Sequence, residues 1–263
     1  MSPDYGAEFA GRRVLITGAA GLIGRWTAEA FHAQGAELLL SDGRAGPLEE
    51  LGESLGAHTV AADLSTGDGV AALLAALDRR WPTADILINN AGIYPRTPLA
   101  TTDRETVERV LDVNVIAPYQ LAQHVIAAMT REGVRGCVVN ITSGAAKRTT
   151  RTGGIYAASK AALDMLTRSL ALEAGEAGIR VVGVGPGFAP GSEVSALPDG
   201  HVAKMRAAIP LGRTSGPHDA PSAILWLCSG AAAFVTGTTL DVDGGRTAGD
   251  YVPTSANADG SAR

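Results

Sequence analysis

Short apolar runs alternate with stretches of helical periodicity along most of the chain. Val14-Leu15-Ile16 is the first run, and Ile86-Leu87-Ile88 is a later one of the same kind. Such runs are typical of parallel strands that are buried on both faces. Strands that alternate with helices at this spacing predict an α/β fold, a doubly wound parallel sheet of about seven strands flanked by helices. The other predicted strands are Leu38 to Asp42, His58 to Ala61, Cys137 to Ile141, Arg180 to Val184 and Thr239 to Val242.

Helical patterns fill the intervals between these strands. The periodicity predicts helices over Leu48 to Leu55, Val70 to Trp81, Thr102 to Arg131, Ile155 to Ala177 and Asp219 to Cys228, the third of them bent near Pro118. No linker divides the 263 residues, so we expect one domain with a core from about residue 12 to 245. Residues 188–210 are either a substrate-covering loop or a plain surface excursion. Residues 246–263 read as a flexible tail.

Charge and composition exclude several classes of partner. The net charge is −5 and no basic stripe occurs, which argues against nucleic acid. No apolar run approaches the length of a membrane span, and the N-terminus lacks the apolar segment of a signal peptide. Cys137 and Cys228 fit no metal-ligand spacing and read as buried apolar residues. We therefore expect a cytoplasmic protein with no metal site and no membrane partner.

A glycine-rich turn, Thr17-Gly18-Ala19-Ala20-Gly21-Leu22-Ile23-Gly24, stands between the first strand and a helical pattern. Glycines let a backbone approach a pyrophosphate closely, and the helix N-terminus offers free amides. A tight turn with no ligand is the alternative. The position between strand and helix favours dinucleotide binding.

Asp42 ends the second predicted strand, where a carboxylate can accept hydrogen bonds from the hydroxyls of an adenosine ribose. A loop-starting Asp without a ligand is the alternative. A 2′-phosphate at this place would meet a like charge, so Asp42 predicts a preference for NAD(H), with NADP(H) still possible. Arg44 is the counter-argument, because it is close enough in sequence to reach such a phosphate.

Tyr156 and Lys160 are four residues apart at the start of a predicted helix, so they share one helix face. An ammonium beside a phenol favours phenolate, and such a Tyr can exchange a proton with an alcohol or ketone. Ser143 could hydrogen-bond the same substrate oxygen. The alternative is that the two residues are a pair on the helix surface without a catalytic role, which is the usual case for an isolated Tyr-x-x-x-Lys. However, Ser143 follows the fifth strand, at the sheet edge where ligands bind in open α/β sheets.

Taken in order, these motifs resemble those of the short-chain dehydrogenase/reductase family, from about Arg12 to Gly245. The resemblance rests on the glycine turn, Asp63-Leu64, Asn89-Asn90-Ala91-Gly92, Asn114, Ser143, Tyr156-x-x-x-Lys160, Pro186-Gly187 and Asp243-Gly244-Gly245. It implies a Rossmann-type domain and an NAD(P)(H)-dependent oxidoreductase that acts on a secondary alcohol or ketone. It also implies a homotetramer or homodimer built by pairing of long helices.

The resemblance implies a role for each matching residue. Tyr156 is the general acid or base, and Lys160 lowers its pKa and binds the nicotinamide ribose. Ser143 orients the substrate oxygen, and Asn114 holds a water that relays protons. Asn89 and Gly92 line the adenosine side, with Asp63 near the adenine. The expected cofactor-binding residues are Gly18, Gly21, Leu22, Ile23, Gly24, Asp42, Asp63, Leu64, Asn90, Ala91, Gly92, Tyr156, Lys160, Pro186 and Gly187.

The chain departs from the family pattern at three places. Leu22 replaces a glycine that is usual in the classical branch, so that Gly21 gives the spacing of the extended branch. Val182 replaces a usual Asn in the sixth strand. Gly191 replaces the Thr that commonly holds the carboxamide. These changes put the shape of the turn and the carboxamide contact in doubt.

Two other functions stay open on the same machinery. One is reduction of a C=N or another polarised bond, and the other is a catalytically silent nucleotide-binding regulator. Arg96, Lys147, Arg148 and Arg151 could attract an acidic substrate, although solvated surface charge is the simpler explanation.

Overall fold

A computed structural model describes residues 5–191 and 199–252. Seven parallel strands form one sheet in the order β3-β2-β1-β4-β5-β6-β7. The strands are β1 (Arg13–Thr17), β2 (Glu37–Asp42), β3 (His58–Ala61), β4 (Ile86–Asn89), β5 (Cys137–Ile141), β6 (Arg180–Pro186) and β7 (Thr239–Val242). All seven predicted strands and the predicted fold class are confirmed.

Helices cover both faces of the sheet. They are α1 (Leu22–Ala33), α2 (Ala45–Leu55), α3 (Gly67–Arg80), α4 (Arg104–Leu111), α5 (Ala117–Glu132), α6 (Gly154–Ala174), α7 (Asp199–Ala207) and α8 (Asp219–Cys228). Helices α1, α2 and α8 pack on one face in an apolar cluster that includes Phe31 and Leu225. Helices α3, α5 and α6 pack on the other face, around Leu73 and Leu121. Since successive side chains of a strand point to opposite faces, Val14 and Ile16 join the first cluster and Leu15 the second.

The strand order reverses direction between β1 and β4. From β1 the chain moves outward through β2 and β3, and it then crosses back to place β4 on the other side of β1. Loops that leave β1 and β4 therefore diverge and leave a crevice at the carboxyl ends of the strands. Every predicted site residue that follows a strand lies along this edge.

The structure corrects two predicted elements. The single helix predicted over Thr102 to Arg131 is interrupted, because a π-helical turn over Asp112–Ile116 separates α4 from α5. In the region 188–210, where no regular element was predicted, the structure contains α7. Residues 192–198 of that region and residues 253–263 of the predicted tail lie outside the described residues. In the described part of the chain, no helix is both long and apolar enough to cross a membrane.

Candidate active site

Tyr156 and Lys160 lie on the first turns of α6, which begins just beyond the carboxyl end of β5. Lys160 is buried, and its Nζ donates a hydrogen bond to the carbonyl oxygen of Ile141 at 2.8 Å. That bond ties the ammonium to the last residue of β5. Lys160 Nζ lies 5.9 Å from the centre of the Tyr156 ring, so the two side chains share one face of the helix.

Ser143 follows β5 and begins a short 3-10 helix, Gly144–Ala146. Its Oγ accepts a hydrogen bond from the backbone N–H of Ala145 at 3.1 Å, which leaves the hydroxyl proton available to a partner. The hydroxyl groups of Ser143 and Tyr156 also interact, and this interaction lowers the pKa of Tyr156. The structure thus brings Ser143, Tyr156 and Lys160 together at one end of the sheet.

Taken together, the protein's own groups raise the pKa of Tyr156. Burial raises the pKa of this phenol, the hydrogen bond with Ser143 works in the opposite direction, and the neighbouring Tyr94 raises the pKa further. The expected lowering by Lys160 is therefore not seen within the protein. Burial also lowers the pKa of Lys160 to about 8, because a low-dielectric site disfavours the ammonium.

Asn114 lies in the π-helical turn and is fully buried. Its Oδ1 accepts from the backbone N–H of Ile93 at 2.9 Å, and its Nδ2 donates to the Ile93 carbonyl and to Ser159 Oγ. Ser159 Oγ in turn donates to the Tyr156 carbonyl at 2.7 Å. These bonds satisfy the buried amide and join the loop after β4 to the first turn of α6.

Pro118 accounts for part of this irregular backbone. Proline has no N–H, so it cannot donate to the carbonyl oxygen of Asn114 four residues earlier. The ordinary helical partner of that carbonyl is therefore missing. Single π-turns inside α-helices are frequent at functional sites.

The glycine turn after β1 is compact. Gly18 has φ +61°, and a Cβ there would lie 2.7 Å from Ala91 Cα. A Cβ on Gly24 would lie 2.2 Å from the Gly18 carbonyl oxygen. The backbone at both positions can approach this closely only if the residue is glycine.

The turn also fits the pyrophosphate of a dinucleotide. Helix α1 begins here with Gly21 as its N-cap, and no side chain caps its first amides. Those amides and the helix dipole favour a bound anion. Leu22 is the first helical residue, and no non-glycine residue in the described part of the chain has a positive φ. A glycine is consequently not required at position 22. Ile23, the second helical residue, is partly exposed beside it.

Asp42 ends β2 beside this turn. Its Oδ2 accepts from the backbone N–H of Ala20 at 3.1 Å, and its Oδ1 accepts from Arg44 N and Arg44 Nε. The carboxylate therefore already holds the glycine turn and the Arg44 side chain in place. Arg44, the residue that could have served a 2′-phosphate, is paired with the acid that would repel one.

The residues of the Asn89-Asn90-Ala91-Gly92 motif at the end of β4 lie partly in the core and partly at the crevice. Asn89 was expected on the adenosine side, but it is buried, and its Nδ2 donates to Asn140 Oδ1 and to the Pro118 carbonyl. Its side chain therefore belongs to the core. Asn90 Nδ2 donates to the Thr17 and Gly18 carbonyls, so Asn90 supports the glycine turn. Ala91 lies against the same turn, and its N–H donates to Thr17 Oγ1.

Gly92 faces the catalytic residues. A Cβ on Gly92 would lie 3.3 Å from Lys160 Nζ and 3.4 Å from Asn114 Oδ1. The absent side chain leaves open the space between these two polar groups. Gly92 therefore lies at the junction of the glycine-turn side and the catalytic side of the crevice.

The remaining predicted cofactor residues make their contacts mainly with other parts of the protein. Asp63 Oδ1 accepts from the N–H and hydroxyl of Ser65, which lowers the pKa of Asp63 and shapes the entry to α3. The Leu64 side chain packs in the apolar core. Pro186 ends β6, and Gly187 N donates to the Val242 carbonyl at 2.8 Å.

The structure accounts for two of the positions at which the chain departs from the family pattern. Val182 is fully buried in the apolar cluster on the α1 side of the sheet, where it suits its surroundings better than an Asn would. Gly191 has φ +95°, a backbone conformation that a Thr would rarely adopt.

Sequence reasoning missed Tyr94 and Ser159. The Tyr94 ring lies 5.8 Å from the Tyr156 ring, centre to centre, and forms one wall of the site. Ser159 bridges Asn114 to α6 as described above. Ser159 stands inside the Tyr156-to-Lys160 motif, one residue before the lysine, so its place beside the catalytic pair was available from the sequence. No sequence pattern marked Tyr94.

Comparisons with known proteins identify the family of the chain. A family model described as Enoyl-(Acyl carrier protein) reductase matches residues 18–247. The L-xylulose reductase of Homo sapiens is 36% identical over 239 residues, which is 90% of this chain and 96% of that protein.

Solved structures show the same fold. A 4-hydroxyisoleucine dehydrogenase complexed with NADH aligns with a TM-score of 0.86 at 30% identity, over 91% of this chain and all of that one (100%). A Beutenbergia cavernae protein with bound NADP aligns with a TM-score of 0.86 at 34% identity, over 92% of this chain and 99% of that one. The chain belongs to the short-chain dehydrogenase/reductase family. It is an oxidoreductase that acts on CH–OH and C=O groups with a nicotinamide cofactor.

The buried ammonium leads to a stability prediction. Burial lowers the pKa of Lys160 from 10.5 to about 8, so the charged form costs folding free energy below pH 8. We expect Lys160→Met to abolish turnover and yet raise the Tm at pH 7 by roughly 3–8 °C. The gain should shrink as the pH rises from 8 toward 10.5, because the wild type then loses the buried charge.

Calorimetry of both proteins across this pH range measures the effect. Lys204→Met, the same change at an exposed position, serves as the control and should give no gain. A Lys160→Met protein no more stable than wild type at pH 7 would contradict the prediction.

Proposed function

We propose that this enzyme interconverts a small, neutral, polyhydroxylated ketone and the corresponding secondary alcohol. One observation carries the catalytic part of the proposal: Ser143, Tyr156, Lys160 and Asn114 converge at the carboxyl ends of β4 and β5, beside a glycine turn that fits a dinucleotide. A catalytically silent protein would have no need of all four. The similarity to an L-xylulose reductase supports a ketose as substrate.

The charges near the site also support a neutral substrate. Lys147, one of the cations that could have attracted an acid, forms an ion pair with Asp241. Arg148 donates to the carbonyl of Arg246 at 3.1 Å and lies 3.8 Å from Asp250. Both cations are engaged within the protein, so they are less available to a substrate carboxylate.

In the reductive direction, Tyr156 donates its hydroxyl proton to the substrate oxygen as negative charge develops there. The raised pKa of Tyr156 keeps this proton in place at neutral pH. Ser143 donates a hydrogen bond to the same oxygen, because its own Oγ is already held by the N–H of Ala145. The bound nicotinamide supplies or accepts the hydride at the substrate carbon.

Lys160 and Asn114 would restore the proton of Tyr156. With a pKa of about 8, Lys160 can exchange protons near neutral pH. The backbone carbonyl of Asn114, which has no N–H partner at Pro118, is suited to hold a water. A Cβ on Gly92 would lie 3.3 Å from Lys160 Nζ, so its absence leaves room for a water beside the lysine. A proton could then pass from solvent through this water to Lys160 and Tyr156.

The cofactor would lie along the edge from β2 to β6. The amides at the start of α1 would hold the pyrophosphate, Asp42 would accept from the adenosine ribose, and Lys160 would contact the nicotinamide ribose. Asn90 and Ala91 would act by shaping the glycine turn, and Asp63 would lie further out. We place the enzyme in the cytoplasm and treat it as one domain, as the sequence predicts.

Turnover tests the catalytic proposal. The purified enzyme is assayed with both cofactors against neutral ketoses, keto acids of equal length, a cyclic imine and an enoyl thioester. We expect the highest kcat/KM with a ketose, and we expect Tyr156→Phe to lose roughly 10²–10⁴-fold in kcat, since only the transferable proton is removed.

Cofactor binding by Tyr156→Phe, followed by nicotinamide fluorescence, is the control and should match wild type. Near-wild-type turnover in Tyr156→Phe would remove this residue from the mechanism. A preference for the imine, the thioester or the keto acid would overturn the proposed substrate class.

The site also leads to a prediction of cofactor choice. Asp42 lies at the end of β2 beside the glycine turn, and the Arg44 guanidinium is paired with its carboxylate. A 2′-phosphate bound beside Asp42 would meet a like charge. We expect kcat/KM to favour NAD(H) and the preference to fall at least ~10-fold in Asp42→Asn, which keeps the shape and removes the charge. Glu37→Gln, at the exposed opposite end of β2, is the matched control. A wild type that prefers NADP(H), or an unchanged ratio in Asp42→Asn, would show that Asp42 does not discriminate.

We further propose a homodimer or homotetramer. Met165 and Leu172 stand two turns apart on α6 and are 63% and 82% exposed. Ile116 and Tyr119, at the start of α5, are 47% and 41% exposed. Such a surface on long helices is suited to a second copy of the same chain.

Light scattering tests the assembly. We expect a dimer or tetramer at micromolar concentration and a smaller species for the double variant Met165→Lys/Leu172→Lys. The double variant Leu99→Lys/Leu211→Lys, exposed leucines outside these helices, is the control and should assemble as wild type. A monomeric wild type would rule the proposal out.

A further inference from the structure

Asp243-Gly244-Gly245 is a family motif to which the mechanism gives no role, and in the structure it forms a folded turn. Asp243 Oδ1 accepts from the N–H groups of Gly245 and Arg246 at 2.9 and 3.1 Å. Its Oδ2 accepts from the N–H and the hydroxyl of Thr247 at 2.9 and 2.6 Å. Four hydrogen bonds to one carboxylate determine the path of the chain after β7.

This turn places Thr247 against the catalytic loop. Gly144 directly follows Ser143, and a Cβ on Gly144 would lie 2.7 Å from Thr247 Cγ2. The same Cβ would lie 4.0 Å from Asp243 Oδ2. The absent side chain of Gly144 therefore leaves room for the Thr247 methyl group.

The same turn holds two neighbouring segments. Arg148, in the loop after Ser143, donates to the Arg246 carbonyl at 3.1 Å. On the other side, Arg246 Nη1 donates to the Ala208 carbonyl at 3.2 Å, and Leu211 N donates to the Gly244 carbonyl at 3.1 Å. The residues just after α7 and the loop that carries Ser143 are thus both anchored to residues 243–247.

We propose that Asp243 and Thr247 are positioning residues that fix the Ser143 hydroxyl by pressing the Thr247 methyl against Gly144. The inference rests on the proposed function, since it gives Ser143 a partner in catalysis. A displacement of about 1 Å at a catalytic group can cost roughly 100-fold in rate. The position of the catalytic loop is then set by a turn about 100 residues further along the chain.

A pair of substitutions tests the contact directly. Gly144→Ala places a methyl group 2.7 Å from Thr247 Cγ2, and its backbone does not have the positive φ that would strain an alanine. We expect kcat to fall roughly 10–100-fold while the KM for cofactor is unchanged. Thr247→Ser removes the opposing methyl and keeps the hydroxyl bond to Asp243, so Gly144→Ala/Thr247→Ser should recover to within a few-fold of wild type.

A second pair separates the hydrogen bond from the packing. Thr247→Val keeps the methyl group that faces Gly144 and replaces the hydroxyl that donates to Asp243, and Asp243→Asn removes the charged acceptor. Both should lower kcat, whereas a merely structural role would lower only the Tm. Gly46→Ala, whose added methyl would meet nothing within 4 Å, is the control and should behave as wild type.

A readout that does not need turnover keeps this inference separate from the proposed function. The interaction with Ser143 lowers the pKa of Tyr156, so displacement of Ser143 should raise the pKa of Tyr156 above its wild-type value. The ultraviolet absorbance of phenolate, taken as a difference from the matching Tyr156→Phe variant, measures it in Gly144→Ala and in Thr247→Val.

Three results would overturn the inference: full activity in Gly144→Ala, no recovery in Gly144→Ala/Thr247→Ser, or an unshifted Tyr156 titration in both single variants. If wild type turned over none of the substrates, the proposed function would fail. The titration would still decide whether the turn positions Ser143.

Discussion

The parallel pairing of β1 with β4 is the constraint on which the rest of the structure depends. Val14, Leu15 and Ile16 pair with Ile86, Leu87 and Ile88, although some 70 residues separate them in the chain. Thr17 Oγ1 extends this pairing beyond the strands, since it accepts from the N–H groups of Asn90 and Ala91. The glycine turn and the loop toward the catalytic residues are therefore held side by side. Without that pairing, a dinucleotide site and a proton-transfer site would have no common edge.

Buried polar groups then hold the catalytic helix at this edge. Asn89 Nδ2 donates to Asn140 Oδ1, Asn140 Nδ2 donates to Thr167 Oγ1, and Thr167 Oγ1 donates to the Leu163 carbonyl. This chain of hydrogen bonds runs from β4 through β5 into α6. The two Asn side chains would be costly to bury alone, and these hydrogen bonds satisfy all of their amide groups except Asn89 Oδ1 and fix the helix relative to the sheet. Tyr156 and Lys160 gain their positions from this attachment.

The role proposed for Lys160 and the stability of the fold make opposite demands on its burial. The ammonium is buried with a hydrogen bond to the Ile141 carbonyl, and its pKa falls to about 8 because the charged form is poorly solvated. The same burial that weakens the folded state brings the lysine into the range where it exchanges protons near neutral pH. Burial has the opposite effect on Tyr156 and raises the pKa of its phenol, so in the proposed mechanism Tyr156 keeps a proton that it can donate.

The sequence by itself determined the strands and most helices, and it supplied the candidate catalytic residues of the proposal. These follow from local signals: apolar runs mark strands, 3.6-residue periodicity marks helices, and a glycine turn between the two marks a nucleotide site. The sequence also shows that Leu22 replaces a glycine that is usual in the family. The structure shows why this replacement is tolerated, because Leu22 is the first residue of α1 and that position does not need a glycine.

Only the tertiary structure decided which polar groups meet. The core position of Asn89 depends on Asn140 and Pro118, and the wall formed by Tyr94 depends on α6. The interruption of the long helix at Asp112–Ile116 requires Ile93 and Ser159 to hold Asn114, and periodicity carries no trace of either. The contact of Thr247 with Gly144 joins segments about 100 residues apart. Contacts of this range are set by the packing of whole elements, and a local pattern holds no information about its distant partner.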